Sequence, residues 1–222
     1  MINNVFDINS YDAVIFDLDG TLIDSNWVWK KIDEDFLGRR GFEVPDDYMD
    51  SIAHLGFEAT ADYTIKRFNL NETRENVINE WYNMSINAYS NDIFLKTGAR
   101  NYLEYLKTNG KKMAIATASD LELVVPVLKN NNVYEFFHNI TTIKEVSRGK
   151  GFPDIYIRTA EKLDTDINRC LVFEDILLGV KGARSGGFRV VGVYDKYSEK
   201  DEEKIREIAD KYVYDFNEME DL

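Results

Sequence analysis

The sequence predicts an α/β fold: a three-layer parallel sheet with an all-helical segment inserted after its first strand. Three observations support this. Short apolar runs rich in β-branched residues recur along the 222 residues. Segments of helical periodicity separate most of them, and strand alternating with helix means βαβ units and a parallel sheet. The alternation fails once, between about Ser25 and Asn91, where apolar residues keep helical spacing and no strand pattern is found. Right-handed crossovers then place helices on both faces of the sheet. The predicted division is a core of residues 1–24 and 93–222 and a helical cap of residues 25–92.

The first strand is Ala13–Phe16, a run short and apolar enough to be buried on both faces. The chain then enters the insertion, with helices expected at Asn26–Arg40, Phe57–Phe68 and Glu72–Tyr89, punctuated by Gly41, Pro45 and Gly56. It returns near Leu95-Lys96-Thr97-Gly98. A helix at Ala99–Asn109 follows, closed by Gly110. Then come a strand at Met113–Thr117, a helix at Leu121–Asn130, a strand at Asn139–Thr142 and a helix at Asp154–Leu163. A strand at Cys170–Phe173, a helix at Leu178–Ser185 and a strand at Val190–Val193 complete the pattern. The charged run Tyr197–Asp210 reads as a solvated terminal helix, and Tyr212–Val213 as a weaker strand. An insertion leaving after Asp24 would stand over the end of the first strand, where a lid can exclude water and choose substrates.

Composition bounds the function. Hydrophobic residues make up 44% and charged residues 30%, as in soluble globular proteins. The formal net charge of -13 argues against nucleic acid or an anionic membrane as partner, since both need a basic face. An anionic ligand would need local positive charge, from a metal or a lysine. The single cysteine, Cys170, permits no internal disulfide and reads as inert packing. Met1 to Ser10 is polar, and no apolar stretch reaches membrane-spanning length. A cytoplasmic monomer is expected.

The chemistry concentrates at Ala13-Val14-Ile15-Phe16-Asp17-Leu18-Asp19-Gly20-Thr21. Side chains alternate along a strand, so Asp17 and Asp19 leave on the same side. The C-terminal edge of such a sheet is where open α/β folds bind ligands. Two like charges held there repel unless a cation or proton intervenes. Gly20 permits the sharp turn. The expectation is a divalent-metal or acid/base site. Three further strand ends carry suitable groups. Thr117, before Ala118 and Ser119, offers a hydroxyl, although such residues also cap helices. Lys150 lies between Gly149 and Gly151 in a loop that starts a helix at Pro153-Asp154. Glu174-Asp175 ends another apolar strand, and a second acidic strand end suits a hard, oxygen-ligated cation.

In order, Asp-x-Asp-Gly-Thr, strand-Thr, Lys before Pro-Asp and Glu-Asp resemble the haloacid dehalogenase superfamily, over nearly the whole chain. The likeness is greatest to its helical-cap branch, which includes β-phosphoglucomutase-like and phosphoglycolate-phosphatase-like proteins, and it implies a Rossmann-like core. The resemblance implies that Asp17 is the nucleophile, forming an aspartyl-phosphate. Asp19 would protonate the leaving oxygen and then deprotonate the attacking water. Thr117 and Lys150 would hold and neutralise the phosphoryl oxygens, with Gly20, Thr21 and Ala118 lining the phosphate site. Mg²⁺ would sit on the Asp17 carboxylate, the Asp19 backbone carbonyl and Asp175, with Glu174 close by. Two departures stand out: Gly151 follows Lys150 where the family commonly has proline, and Asp120 adds a negative charge near the phosphate site.

The implied activity is a Mg²⁺-dependent phosphatase for a small phosphomonoester, such as a sugar phosphate. A phosphomutase is the alternative. β-Phosphoglucomutases carry a cap histidine where ungapped alignment puts Trp29, and basic residues around a cap-loop glycine, whereas Gly56 here has Leu55 and Ala59 nearby; His54 is out of register. A non-catalytic relative or a receiver-like phospho-switch is a further alternative. Substrate choice is expected near Ser25–Trp29 and His54–Glu58. Of Trp27, Trp29 and Phe57, at least two are expected to be cap core.

Overall fold

A computed structural model of the protein describes residues 8–52 and 55–219. By its internal contacts the chain divides into two compact units, one running up to Ser25 and resuming at Ile93, the other Asn26–Asp92. The first unit is built on six parallel strands: β1 (Ala13–Phe16), β2 (Lys112–Thr117), β3 (Asn139–Thr142), β4 (Cys170–Glu174), β5 (Arg189–Val193) and β6 (Lys211–Val213). Their spatial order is β3-β2-β1-β4-β5-β6. All four residues of β1 are buried, which explains why its sequence is uniformly apolar rather than alternating. Its register aligns Phe16 with Ile115 on β2 and Phe173 on β4, so β4 runs one residue and β2 two residues past the end of β1.

The second unit is helical, with α1 (Trp27–Gly38), α2 (Tyr48–Ile52), α3 (Phe57–Phe68) and α4 (Arg74–Asn91). Val28, Ile32, Phe36, Val77 and Trp81 supply its buried apolar positions, and the Phe36 and Trp81 rings meet edge-on at 5.3 Å. Thr73 caps α4 by accepting from the Asn76 amide at 3.2 Å. Arg40 stacks on Phe36 and forks onto Glu72 (2.6 and 2.8 Å), with a further 2.6 Å bond to Glu80. Bidentate pairing at a partly buried position holds better than an exposed ion pair. The short α2 falls where the sequence suggested only punctuation. Trp29 and Phe57 are 40% and 43% exposed and Trp27 is partly buried, so the expectation that two of the three are core is corrected. His54 lies outside the described residues.

The remaining helices belong to the sheet unit: α5 (Ala99–Thr108), α6 (Leu121–Asn130), α7 (Asp154–Lys162), α8 (Leu177–Ser185) and α9 (Glu202–Ile208). Alternation divides the core. Ala13, Ile15, Ala114, Ala116 and Val172 pack with Ile155 and Tyr156 of α7 and Val180 of α8. On the other side Phe16, Phe173, Tyr102 and Phe216 form a ring cluster with centroids 5.0–6.4 Å apart. Burying each such ring contributes roughly 1.5–3 kcal/mol. Cys170 is fully buried, and burial pushes its thiol up to about 12, which fits an inert packing role.

The charged run near the C-terminus is not one solvated terminal helix. Lys196–Asp201 is a 3₁₀ segment, and only Glu202–Ile208 is α-helical. Ile205 is buried among the β-sheet core residues, so one face of α9 must pack, and β6 follows it. The two chain segments that join the units run side by side in the sheet unit. The Asp24 amide donates to the Phe94 carbonyl (3.0 Å), the Lys96 amide to the Leu22 carbonyl (2.9 Å), and Ile23 bridges Leu95 in antiparallel fashion. No helix among the described residues is long and apolar enough to cross a membrane.

Candidate active site

The site is assembled at the C-terminal ends of β1, β2 and β4. Asp17 follows β1 and continues its ladder, its amide donating to the Phe173 carbonyl at 3.0 Å. Lys150 donates to Asp17 Oδ1 and, at 2.5 Å, to Glu174 Oε1 at the end of β4. Thr21 lies 3.2 Å from Asp17 Oδ2 and 2.9 Å from Asp175 Oδ1; with one hydroxyl proton, it bridges the two acids as donor to the nearer. Gly20, at φ 78°, makes the turn that brings Thr21 back. Asp17, Glu174 and Asp175 all offer carboxylate oxygens within 4.8 Å of one another, and all three are buried. The Asp17 and Asp175 carboxylates are hard oxygen donors at strand ends and fit Mg²⁺ in kind and spacing, with Glu174 beside them.

The Asp19 carboxylate is not in that cluster. It accepts from Ser25 at 2.8 Å and Ser119 at 2.7 Å, so the side chains of the two acids of the first motif have separate hydrogen-bond partners. Asp19 follows Leu18 in a tight loop beyond the strand, so simple alternation no longer sets its direction. Thr117 ends β2, is buried, and accepts from the Ser119 amide at 3.0 Å; that bond does not consume its hydroxyl proton. Ala118, exposed, forms the bend between them. Asp120, which looked misplaced, is paired with Lys144 at 2.5 Å, and its charge is met locally.

Burial dominates the electrostatics. It pushes Asp17 well above the usual carboxylate range, helped by Glu174, Asp175 and Asp19 and opposed by Lys150. Burial and the Glu174 charge push Asp175 up to about 7, against the pull of Lys150 and the Thr21 hydroxyl. Burial disfavours the Lys150 ammonium, yet Asp17 and Glu174 outweigh it and hold its pKa above the ordinary lysine value. The site is thus an excess of buried negative charge compensated by one lysine, a state that a divalent cation would relieve.

Sequence reasoning missed Tyr156, whose hydroxyl donates to Glu174 Oε1 at 2.7 Å. It falls at a helical apolar position of α7, so no local signal separated it from core. It also missed the partly buried pair of Lys96 and Asp195, 2.9 Å apart, which ties the returning linker to the segment after β5.

The fold and this constellation define a class, and comparison with known proteins gives the family. Residues 14–193 match the model of the haloacid dehalogenase-like hydrolase family, and the chain belongs to that family. A phosphorylated carbohydrates phosphatase of Thermotoga maritima is 25% identical over 183 residues, covering 82% of this chain and 85% of its own. Hexitol phosphatase B of Escherichia coli is 25% identical over 184 residues, covering 82% of each chain. Among solved structures, CbbY from Rhodobacter sphaeroides in complex with phosphate superposes with a TM-score of 0.74 at 22% identity, covering 95% of this chain and 96% of its own.

Proposed function

We propose that the protein is a Mg²⁺-dependent phosphatase that hydrolyses a small phosphomonoester, a phosphorylated carbohydrate or similar metabolite, through an aspartyl-phosphate. The observation that carries this reading is the shared lysine. Asp17, at the end of the central strand, meets Lys150 on one oxygen and Thr21 on the other, which suits a nucleophile placed beside a charge for the phosphoryl oxygens. Asp17 attacks phosphorus as the ester P–O bond breaks, and Asp19 gives its proton to the leaving oxygen. Water then attacks phosphorus, its proton passes to Asp19, and the bond to Asp17 breaks. Thr117 and Lys150 hold the phosphoryl oxygens, with the Gly20–Thr21 turn and Ala118 lining the phosphate site. The Asp17 and Asp175 carboxylates and the Asp19 carbonyl would hold Mg²⁺, with Glu174 close by. Bound there, Mg²⁺ would neutralise charge on the transferring group. The names of the related phosphatases support a carbohydrate phosphate as the substrate class.

The test is phosphate release from a panel of sugar phosphates that includes β-glucose 1-phosphate, with and without Mg²⁺. Release that needs Mg²⁺ and falls at least about 10⁴-fold in Asp17→Asn is expected. Appearance of glucose 6-phosphate without phosphate release would replace the reading with a phosphomutase. Silence in both assays would count against catalysis on this substrate class.

A further inference from the structure

The Glu174 carboxylate is saturated. Oε1 accepts from Lys150 Nζ at 2.5 Å and from the Tyr156 hydroxyl at 2.7 Å. Oε2 accepts from the amides of Asp175 at 3.1 Å and Ile176 at 3.3 Å. Four donors occupy the roughly four lone-pair directions that a carboxylate has. The packing around it is equally committed. A Cβ on Gly179 would collide with this carboxylate, and one on Gly182 with the Lys150 carbonyl oxygen. Each helical glycine costs about 1 kcal/mol relative to alanine, a cost that the close approach of α8 explains. Glu174 cannot turn toward another ligand without breaking these bonds. Its place is to hold Lys150.

Tyr156 then acquires a role. It is fully buried on α7, six residues after Lys150, and both side chains converge on one oxygen of Glu174. Two donors on the same oxygen compete: charge given to the phenol hydrogen bond is withdrawn from the ammonium. Lys150 is therefore shared between Glu174 and Asp17 rather than drawn wholly onto Glu174. We infer that Tyr156 is a positioning residue for Lys150, setting through Glu174 how far the ammonium reaches toward Asp17 and the phosphoryl group. This rests on the reading of Asp17 and Lys150 as the phosphoryl-transfer site. A purely structural Tyr156 would merely give a buried phenol its partner.

Tyr156→Phe distinguishes the two, because it keeps the ring that packs against Phe188 with centroids 6.2 Å apart. The expected result is a fall in kcat of about 5- to 30-fold, the factor one or two such hydrogen bonds represent, with KM within about twofold. In a Glu174→Ala background, which removes the shared acceptor, the same substitution should change kcat less than about twofold. A crystal structure of Tyr156→Phe should show Lys150 Nζ moved toward Glu174 and away from Asp17. Unchanged kcat, or an equal loss in both backgrounds, with Lys150 still on Asp17, would overturn the inference. If the unsubstituted protein released no phosphate, the functional reading would fail, and the position of Lys150 in the variant would still decide this one.

Discussion

Asp175 in the sheet unit and Asp33 in the helical unit are both buried carboxyl groups, and burial pushes each up to about 7. Their surroundings differ in kind. Asp175 sits with Asp17 and Glu174, within the field of Lys150, in a cluster with more negative than positive charge. Asp33 has the Tyr48 hydroxyl as its partner, and Glu34 is the charge that acts on it. Tyr48 OH lies 2.7 Å from Thr64 Oγ1, which donates to the Thr60 carbonyl at 2.8 Å. A carbonyl can only accept, so Thr64 spends its proton there and Tyr48 is the donor to Thr64; the Tyr48 hydroxyl also favours the ionised Asp33, and burial outweighs it. Raised proton affinity alone therefore does not mark chemistry. Several acids gathered around one lysine mark a site; an acid among neutral hydroxyls marks a packed core.

The comparison breaks first at Lys150. Lys150→Met leaves three buried acids without their cation, and removing one partner of such an assembly costs roughly 3–5 kcal/mol. Urea unfolding at pH 8 should show that loss. It should shrink at pH 5, where Asp17 and Asp175 take up protons, and saturating Mg²⁺, at about 100 times its Kd, should raise the stability of the variant by roughly 2.7 kcal/mol. Unchanged stability at pH 8 would mean that charge compensation by this lysine does not hold the site.

Asp33 responds to pH in the opposite sense from an ion-paired acid. Its pKa is raised in the folded chain, so the folded protein binds the extra proton between about pH 4 and 7. The stability this contributes is complete below the ordinary carboxylate value and is lost as pH rises through 7. At about 1.4 kcal/mol per tenfold change in proton affinity, the loss is roughly 2–4 kcal/mol. Asp33→Asn cannot ionise. The variant should match the unsubstituted protein near pH 4 and exceed it in thermal stability at pH 8. Parallel pH profiles for the two proteins would show that Asp33 is ionised in the fold, and the contrast with Asp175 would go.

The same contrast explains what could be read from the sequence. The sheet was legible because its central strands are buried on both faces, so Ala13–Phe16 and Cys170–Phe173 are apolar throughout. Asp17, Glu174 and Asp175 were legible because polar groups at the ends of such strands have no packing reason to be there, and Lys150 by its place between two glycines in the loop before α7. Tyr156 was hidden, since its apolar ring satisfies the helix pattern and only its hydroxyl does anything else. Asp33 was hidden for the converse reason: in the run Lys30-Lys31-Ile32-Asp33-Glu34-Asp35 it reads as one more solvated charge. The pairing of Asp120 with Lys144 joins positions 24 residues apart, beyond the reach of local pattern.

The smallest expected effect sharpens the comparison most. Tyr48→Phe keeps the ring that lies 5.8 Å from Phe68 and removes one oxygen. Thr64 retains its bond to the Thr60 carbonyl, so the loss falls on the Asp33 side. A buried group left without its partner costs about 1–2 kcal/mol, measurable by urea unfolding at pH 5, where Asp33 is neutral in either protein. Burial pushes Tyr48 up to about 12, so it remains a protonated donor across the range that matters. At higher pH its hydroxyl is what an ionised Asp33 would accept from, and this contact lowers the acid's pKa. Without it the pH at which Asp33 ionises should move upward. An upward move together with the loss at pH 5 identifies the Tyr48 hydroxyl as the partner of Asp33. A loss with no move would leave burial as the sole cause, and Asp33 and Asp175 would then differ in their neighbours but not in what sets their protons.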